Sequence, residues 1–208
     1  MKKYKYYLFD FDGTLLNTMP ALEYVFTVSY EHVGVKFNPQ ETVEFSRIPL
    51  DEGYARAGGN PAKWHDFCVF IEKSLDFPQA LKANHLYPET LEFIEHLKQN
   101  KIVAGIVTSN KISHVKDVLD AMNLPKEIFS IYVGNKEYKR FKPYPDPVLV
   151  ALEKLGNPDK KDVVYVGDGL NDMLSANRAG VDAILIDREN EFPDSDKYIK
   201  IKNLKELF

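Results

Sequence analysis

Between residues 88 and 186 the sequence alternates segments of helical periodicity with short apolar runs, and that alternation restricts the fold more than any other feature of the chain. Leu91, Ile94 and Leu97 recur at helical spacing, and an almost unbroken apolar run covers 102–107. Val115, Val118, Leu119 and Met122 mark the next helix, and a strand pattern covers 129–133. A helix then runs from Pro147 through Leu155, followed by a strand at 163–166, a helix around Met173 to Ala179 and a strand at 183–186. Strands that are apolar on both faces and separated by helices belong to a parallel sheet covered on both sides. Tyr6, Tyr7, Leu8 and Phe9 read as one more buried strand, and the tail offers a short strand at 198–201 and a helical turn at 204–208. The expected class is α/β, a doubly wound, Rossmann-like parallel sheet.

The stretch between the first strand and this alternation is of another kind. Pro20 suits a first helical turn, and Leu22, Val25, Phe26, Ser29, Tyr30 and Val33 follow at helical spacing before Gly34. Residues 39–59 contain Pro39, Pro49, Gly53, Gly58 and Gly59, which leave room only for short helices and turns. A second helix is expected over 61–75, with Trp64, Phe67, Cys68, Ile71 and Leu75 on its apolar face. The division expected is a core of residues 1–18 and 87–208, with residues 19–86 as a small all-helical cap domain.

Composition excludes several classes of function. The 208 residues are 44% hydrophobic, enough for a substantial core, and the net charge of -4 argues against a nucleic-acid surface. The densest basic stretch, 136–142, is broken by Glu137 and two aromatics. No apolar run is long enough to span a membrane. Cys68 is the single cysteine, which rules out an internal disulfide, and among Phe67, Val69 and Phe70 it reads as a packed thiol. A cytoplasmic protein is expected, monomeric or homodimeric, with neither nucleic acid nor membrane as partner.

The polar residues that end the strands carry the functional signal. The first strand stops at Asp10 and Asp12, followed by Gly13, and the C-terminal edge of a parallel sheet is where ligands bind. Two residues apart on extended chain, the two carboxylates point the same way, which is costly unless a cation or a shared proton intervenes. The alternatives are a metal, an acid/base pair, or a solvated strand-end turn. A calcium loop of the EF-hand type is not matched, since its Gly and Glu spacing is absent. Thr108, Ser109 and Asn110 end the strand at 102–107, and Asp168 and Asp172 follow the strand at 163–166. Lys142 sits in Phe-Lys-Pro-Tyr-Pro-Asp-Pro, whose prolines restrict the backbone around it. Singly, Thr108, Asp168 and Asp172 could cap helices and Lys142 could be a surface charge; their joint occurrence at matching strand ends is what those readings leave unexplained.

Taken together, Asp-Phe-Asp-Gly-Thr (10–14), Ile-Val-Thr-Ser (106–109), Lys142 with its following Pro, and Gly-Asp-Gly-Leu-Asn-Asp (167–172) resemble the four motifs of the haloacid dehalogenase superfamily. The insertion after the first motif resembles the helical-cap members, which include phosphoglycolate phosphatases, small sugar phosphatases, pyrophosphatases and β-phosphoglucomutases. The resemblance implies a magnesium-dependent phosphatase acting on a small phosphorylated metabolite through an aspartyl phosphate. In it Asp10 is the nucleophile and Asp12 the acid and base. Thr108, Ser109 and Asn110 bind phosphate, and Lys142 neutralises charge. Asp10, the main-chain carbonyl of Asp12 and Asp168 hold Mg2+, and Asp172 orients water or Lys142. The cap is expected to close over the site, with Arg47 either a clamp for an anionic substrate group or a solvated charge. Asp12 followed by Gly13 and Thr14 favours phosphoryl transfer over dehalogenation. At the place where the family's sugar mutases carry a His, this chain has Leu22, which favours hydrolysis over a mutase; pyrophosphatase and non-catalytic binding remain the other readings.

Overall fold

A computed structural model describes residues 2–208. In chain order the strands are β1 (Tyr6–Phe9), β2 (Leu16–Asn17), β3 (His85–Leu86), β4 (Val103–Val107), β5 (Ile131–Val133), β6 (Val163–Gly167), β7 (Asp182–Ile186) and β8 (Ile199–Ile201). The helices are α1 (Met19–His32), α2 (Thr42–Ser46), α3 (Leu50–Arg56), α4 (Trp64–Ser74), α5 (Pro78–Ala83), α6 (Thr90–Gln99), α7 (Ile112–Ala121), α8 (Asp146–Lys154) and α9 (Leu170–Ala179). The described chain forms two units, one of residues up to Leu16 with Leu86–Asp120 and Leu124–Phe208, the other of Asn17–His85 with Ala121–Asn123.

The larger unit is built on a six-stranded, all-parallel sheet in the order β5-β4-β1-β6-β7-β8. Counted within that unit alone, this is the doubly wound order 3-2-1-4-5-6, whose reversal of direction falls at β1. Both faces of the central strands are covered, as their sequences require. Leu8, Val107, Tyr165 and Leu185 pack with Val148, Leu152 and Met173 of α8 and α9. Phe9 meets Phe93 of α6 on the other face, ring centroids 5.4 Å apart. Phe9 lies level with Ile106 of β4 and with Val166 of β6, so all three strands end on one line.

The smaller unit is helical, and its core is aromatic. Tyr30, 1% exposed, lies at its centre, with ring centroids 4.9 Å from Phe37 and 4.9 Å from Phe67. Phe26, Phe45, Tyr54 and Ile71 belong to the same cluster. The helix expected over 61–75 begins as a single tight turn at Pro61–Lys63, where Asn60 caps the Ala62 N–H, and becomes α4 at Trp64. On α4, Phe67 and Ile71 are buried and Cys68 is half-buried and free. The segment between Pro39 and Gly59 holds α2 and α3, short as its prolines and glycines dictate. The two-residue strands β2 and β3 lie where the chain passes between the units, and two residues carry too little pattern to be read from sequence. Among the described residues no helix is long and apolar enough to cross a membrane.

Candidate active site

The candidate site lies wholly within the larger unit, at the C-terminal ends of β1, β4 and β6. Register alone brings its parts together: Asp10 follows Phe9, Thr108 follows Val107, and Asp168 follows Gly167 at neighbouring strand ends. The main chain continues the sheet for one more step, with Asp10 N–H bonded to Val166 O and Thr108 N–H to Val133 O.

Lys142 is the hub. Its ammonium lies 3.0 Å from Asp10 Oδ1 and donates to Asp172 Oδ1 at 2.6 Å and to the Tyr165 hydroxyl at 3.0 Å. The Lys142 and Asp172 side chains are each only 6% exposed. An ion pair this deep is stable only if every partner is satisfied. Asp172 Oδ2 accepts the Gly169 N–H at the start of α9, and Tyr165 OH, wholly buried, stands 3.0 Å from Val107 O. Burial presses the Lys142 pKa down, but Asp10 and Asp172 outweigh it and hold the ammonium well above its ordinary range.

The carboxylate pKa values are raised as well, and there burial is the cause. Burial raises Asp10 well above the usual carboxylate range; Lys142 opposes the rise, and Asp172, Asp168 and Asp12 add to it. Asp12 is raised by burial, against the charges of His114 and Lys142 and a hydrogen bond from Asn110. That bond, from Asn110 Nδ2 to Asp12 Oδ2, is 2.6 Å long. Asp168 is raised to about 6 by burial and by Asp172. It folds over Gly13, whose φ of +71° no side chain would favour; a Cβ there would lie 1.9 Å from Asp168 Oδ2.

Beside these, Thr108 is buried, its Oγ1 accepts the Asn110 N–H at 3.1 Å, and its carbonyl accepts from Tyr138 OH at 2.9 Å. Ser109 is exposed. Arg47 lies in the helical unit, exposed at the end of α2.

Residues 7–186 match the family model of haloacid dehalogenase-like hydrolases. The chain belongs to this family. A candidate pyrophosphatase PpaX of Caldanaerobacter subterraneus is 31% identical over 183 residues, covering 86% of this chain and 80% of that one. The phosphoglycolate phosphatase of Pasteurella multocida is 27% identical over 190 residues, covering 86% and 84%. A candidate haloacid dehalogenase-like hydrolase of Bacteroides fragilis, known by crystal structure, superposes with a TM-score of 0.81 at 25% identity, covering 99% of this chain and all of the other.

Members of the family are expected to hold magnesium, and the donors present suit that ion. Asp10, Asp168 and Asp172 each place a carboxylate oxygen within 4.8 Å of the others, all hard oxygen donors in a negatively charged, largely buried setting. Sequence reasoning missed three residues that hold this hydrolase's site in place. Tyr165 carried a signal, since a buried tyrosine among valines needs a partner for its hydroxyl. Thr14, buried with Oγ1 3.4 Å from Asp168 Oδ1, stands within a motif already singled out. Arg188 carried none: its guanidinium bonds the carbonyls of Gly13 and Thr14 at 2.7 and 3.1 Å from a position 174 residues downstream of the latter.

Proposed function

We propose that the chain is a magnesium-dependent phosphatase that hydrolyses a small phosphomonoester through an aspartyl phosphate on Asp10. The observation that carries this reading is the Asp10–Lys142 contact of 3.0 Å at the switch point of the sheet, with the second carboxylate, Asp12, held two residues on. A nucleophile beside a cation and a separate proton carrier are what the two displacements need.

In the first displacement a carboxylate oxygen of Asp10 forms a bond to phosphorus and the ester P–O bond breaks. Its electron pair passes to the leaving oxygen, which takes a proton from Asp12. In the second, water attacks the same phosphorus and gives its proton to Asp12; the aspartyl P–O bond breaks, returning Asp10 and releasing inorganic phosphate. Burial that raises Asp12 favours its carrying a proton at the start; burial raises Asp10 too, and the Lys142 charge opposes that rise without cancelling it, so ionised Asp10 would draw on the further positive charge of a bound cation. Thr108, Ser109 and main-chain N–H groups near Asn110 serve as donors to the phosphoryl oxygens, and Asp172 keeps Lys142 in place. Magnesium held by Asp10, the Asp12 carbonyl and Asp168 would supply further positive charge to those oxygens. We assign choice of substrate to the helical residues 19–86, with Arg47 as a clamp for an anionic group, and phosphoglycolate as first candidate.

The likeness to PpaX supports a second reading, in which the leaving group is phosphate and the substrate pyrophosphate. One experiment addresses both. Phosphate release is measured from p-nitrophenyl phosphate, phosphoglycolate, sugar phosphates and pyrophosphate, with magnesium and with chelator, for the natural protein and Asp10→Asn. Release that needs magnesium and falls at least about 1000-fold in the variant supports the aspartyl-phosphate reading. The best substrate names the class, and release that survives Asp10→Asn refutes the mechanism.

A further inference from the structure

The side chain of Asn110 has no part in the reading above, which uses only main-chain N–H groups near it. Yet its position is closely fixed. Its N–H donates to Thr108 Oγ1 at 3.1 Å, its carbonyl accepts the Asn135 N–H at 3.0 Å, and from that anchored main chain the amide reaches Asp12 Oδ2 at 2.6 Å. We infer that Asn110 is a positioning residue whose side-chain amide holds the Asp12 carboxyl where it can protonate the leaving oxygen, making the enzyme suited to esters of alcohols that leave poorly. The inference rests on the phosphatase reading and deepens it.

The chemistry of the partner favours this role. A carboxyl that gives up and regains a proton in each turnover needs a neighbour that keeps its place without changing charge. An amide does so and can offer either its N–H2 or its carbonyl. A positioned acid matters most where the leaving group is a strong base. p-Nitrophenoxide leaves with its electron pair unprotonated, whereas an alkoxide must take the Asp12 proton as the P–O bond breaks. The role of Asn110 is therefore legible as a change in selectivity.

The test compares kcat/KM, which reports steps up to aspartyl-phosphate formation, on p-nitrophenyl phosphate and on an alkyl phosphate such as glycerol 2-phosphate. Asn110→Ala is expected to lower the alkyl value about 100-fold, and the aryl value at least about tenfold less. Asn110→Asp keeps the shape but sets a second carboxylate against Asp12, so its alkyl value should fall at least as far; it also carries the test should the alanine variant not fold. In an Asp12→Asn background, Asn110→Ala should cost nothing further, because the residue acts through Asp12. Equal losses on both substrates, near-natural activity of Asn110→Asp, or additive losses in the Asp12→Asn background would each overturn the inference. Failure of the phosphatase reading looks different: the natural protein then turns over neither ester, or does so regardless of Asp10→Asn, and the inference falls with it.

Discussion

Asp168→Asn should make the metal-free protein more stable while costing it magnesium. Burial and the neighbouring Asp172 raise Asp168 from an ordinary 3.8 to about 6. Two pK units correspond to about 3 kcal/mol of preference for the neutral form in the folded state. Folded Asp168 holds its proton more tightly than the unfolded chain does, so between about pH 4 and pH 6 the folded protein binds more protons, and stability falls as pH rises through that window. The loss is complete above about pH 6 and absent below the unfolded pKa. An amide has nothing to ionise and can still accept from Thr14, which stands 3.4 Å away. The variant should therefore gain about 2–3 kcal/mol at pH 7.5 in chelator, about 5–10 °C in melting temperature for a chain of this size, and less than about 1 kcal/mol near pH 4. Added magnesium should raise the melting temperature of the natural protein and leave that of the variant almost unmoved. Melts of both proteins at the two pH values, with and without the ion, decide the matter. A variant no more stable at pH 7.5, or a gain undiminished near pH 4, would refute the account of Asp168 as a buried carboxylate kept for a cation.

Two other substitutions probe the same scaffold. Gly13→Ala puts a methyl group into the space of the Asp168 carboxylate at a φ of +71°, so we expect a loss of about 1–3 kcal/mol and at least tenfold weaker magnesium dependence, read from melting and from activity titrated with the ion; unchanged magnesium dependence would separate Asp168 from the cation. Tyr165→Phe removes one hydroxyl, 3.0 Å from Lys142 Nζ and 3.0 Å from Val107 O, and should cost about 1–3 kcal/mol in urea unfolding and lower phosphate release; natural stability and activity together would show that the hydroxyl does nothing for Lys142.

What could be read from the sequence follows from the range of the interactions involved. The parallel sheet was legible because its strands are apolar on both faces and short, a pattern that only cover by helices on both sides explains. Asp10, Thr108 and Asp168 were legible as neighbours because strand ends in such a sheet fall on one line, as the register of Phe9 with Ile106 and Val166 bears out. The strands β2 and β3 were not, since two residues have no measurable periodicity. Nor was Arg188, whose partners are main-chain carbonyls of Gly13 and Thr14, groups that every residue possesses. Asn110 stands between these cases: its place at the end of β4 was readable from Thr108, but the direction of its amide, toward Asp12, depends on where the loop after β4 turns.

The three acids that cluster within 4.8 Å are not equivalent, and the glycines show why. Asp172 approaches so closely that a Cβ on Gly167 would lie 2.6 Å from its carboxylate, and there both its oxygens are engaged, one by Lys142 and one by the Gly169 N–H. It works as an anchor that holds the ammonium and the start of α9 together. Asp168 uses Gly13 in the same way, but its hydrogen-bonded neighbour is the Thr14 hydroxyl rather than a cation, and it is left with a raised pKa. One buried ammonium thus anchors Asp172 and opposes, without cancelling, the rise of Asp10, so the charges of Asp10 and Asp168 call for a further cation. Burying a charge without one costs several kcal/mol, so a cation bound beside Asp168 would stabilise the fold that keeps it in place.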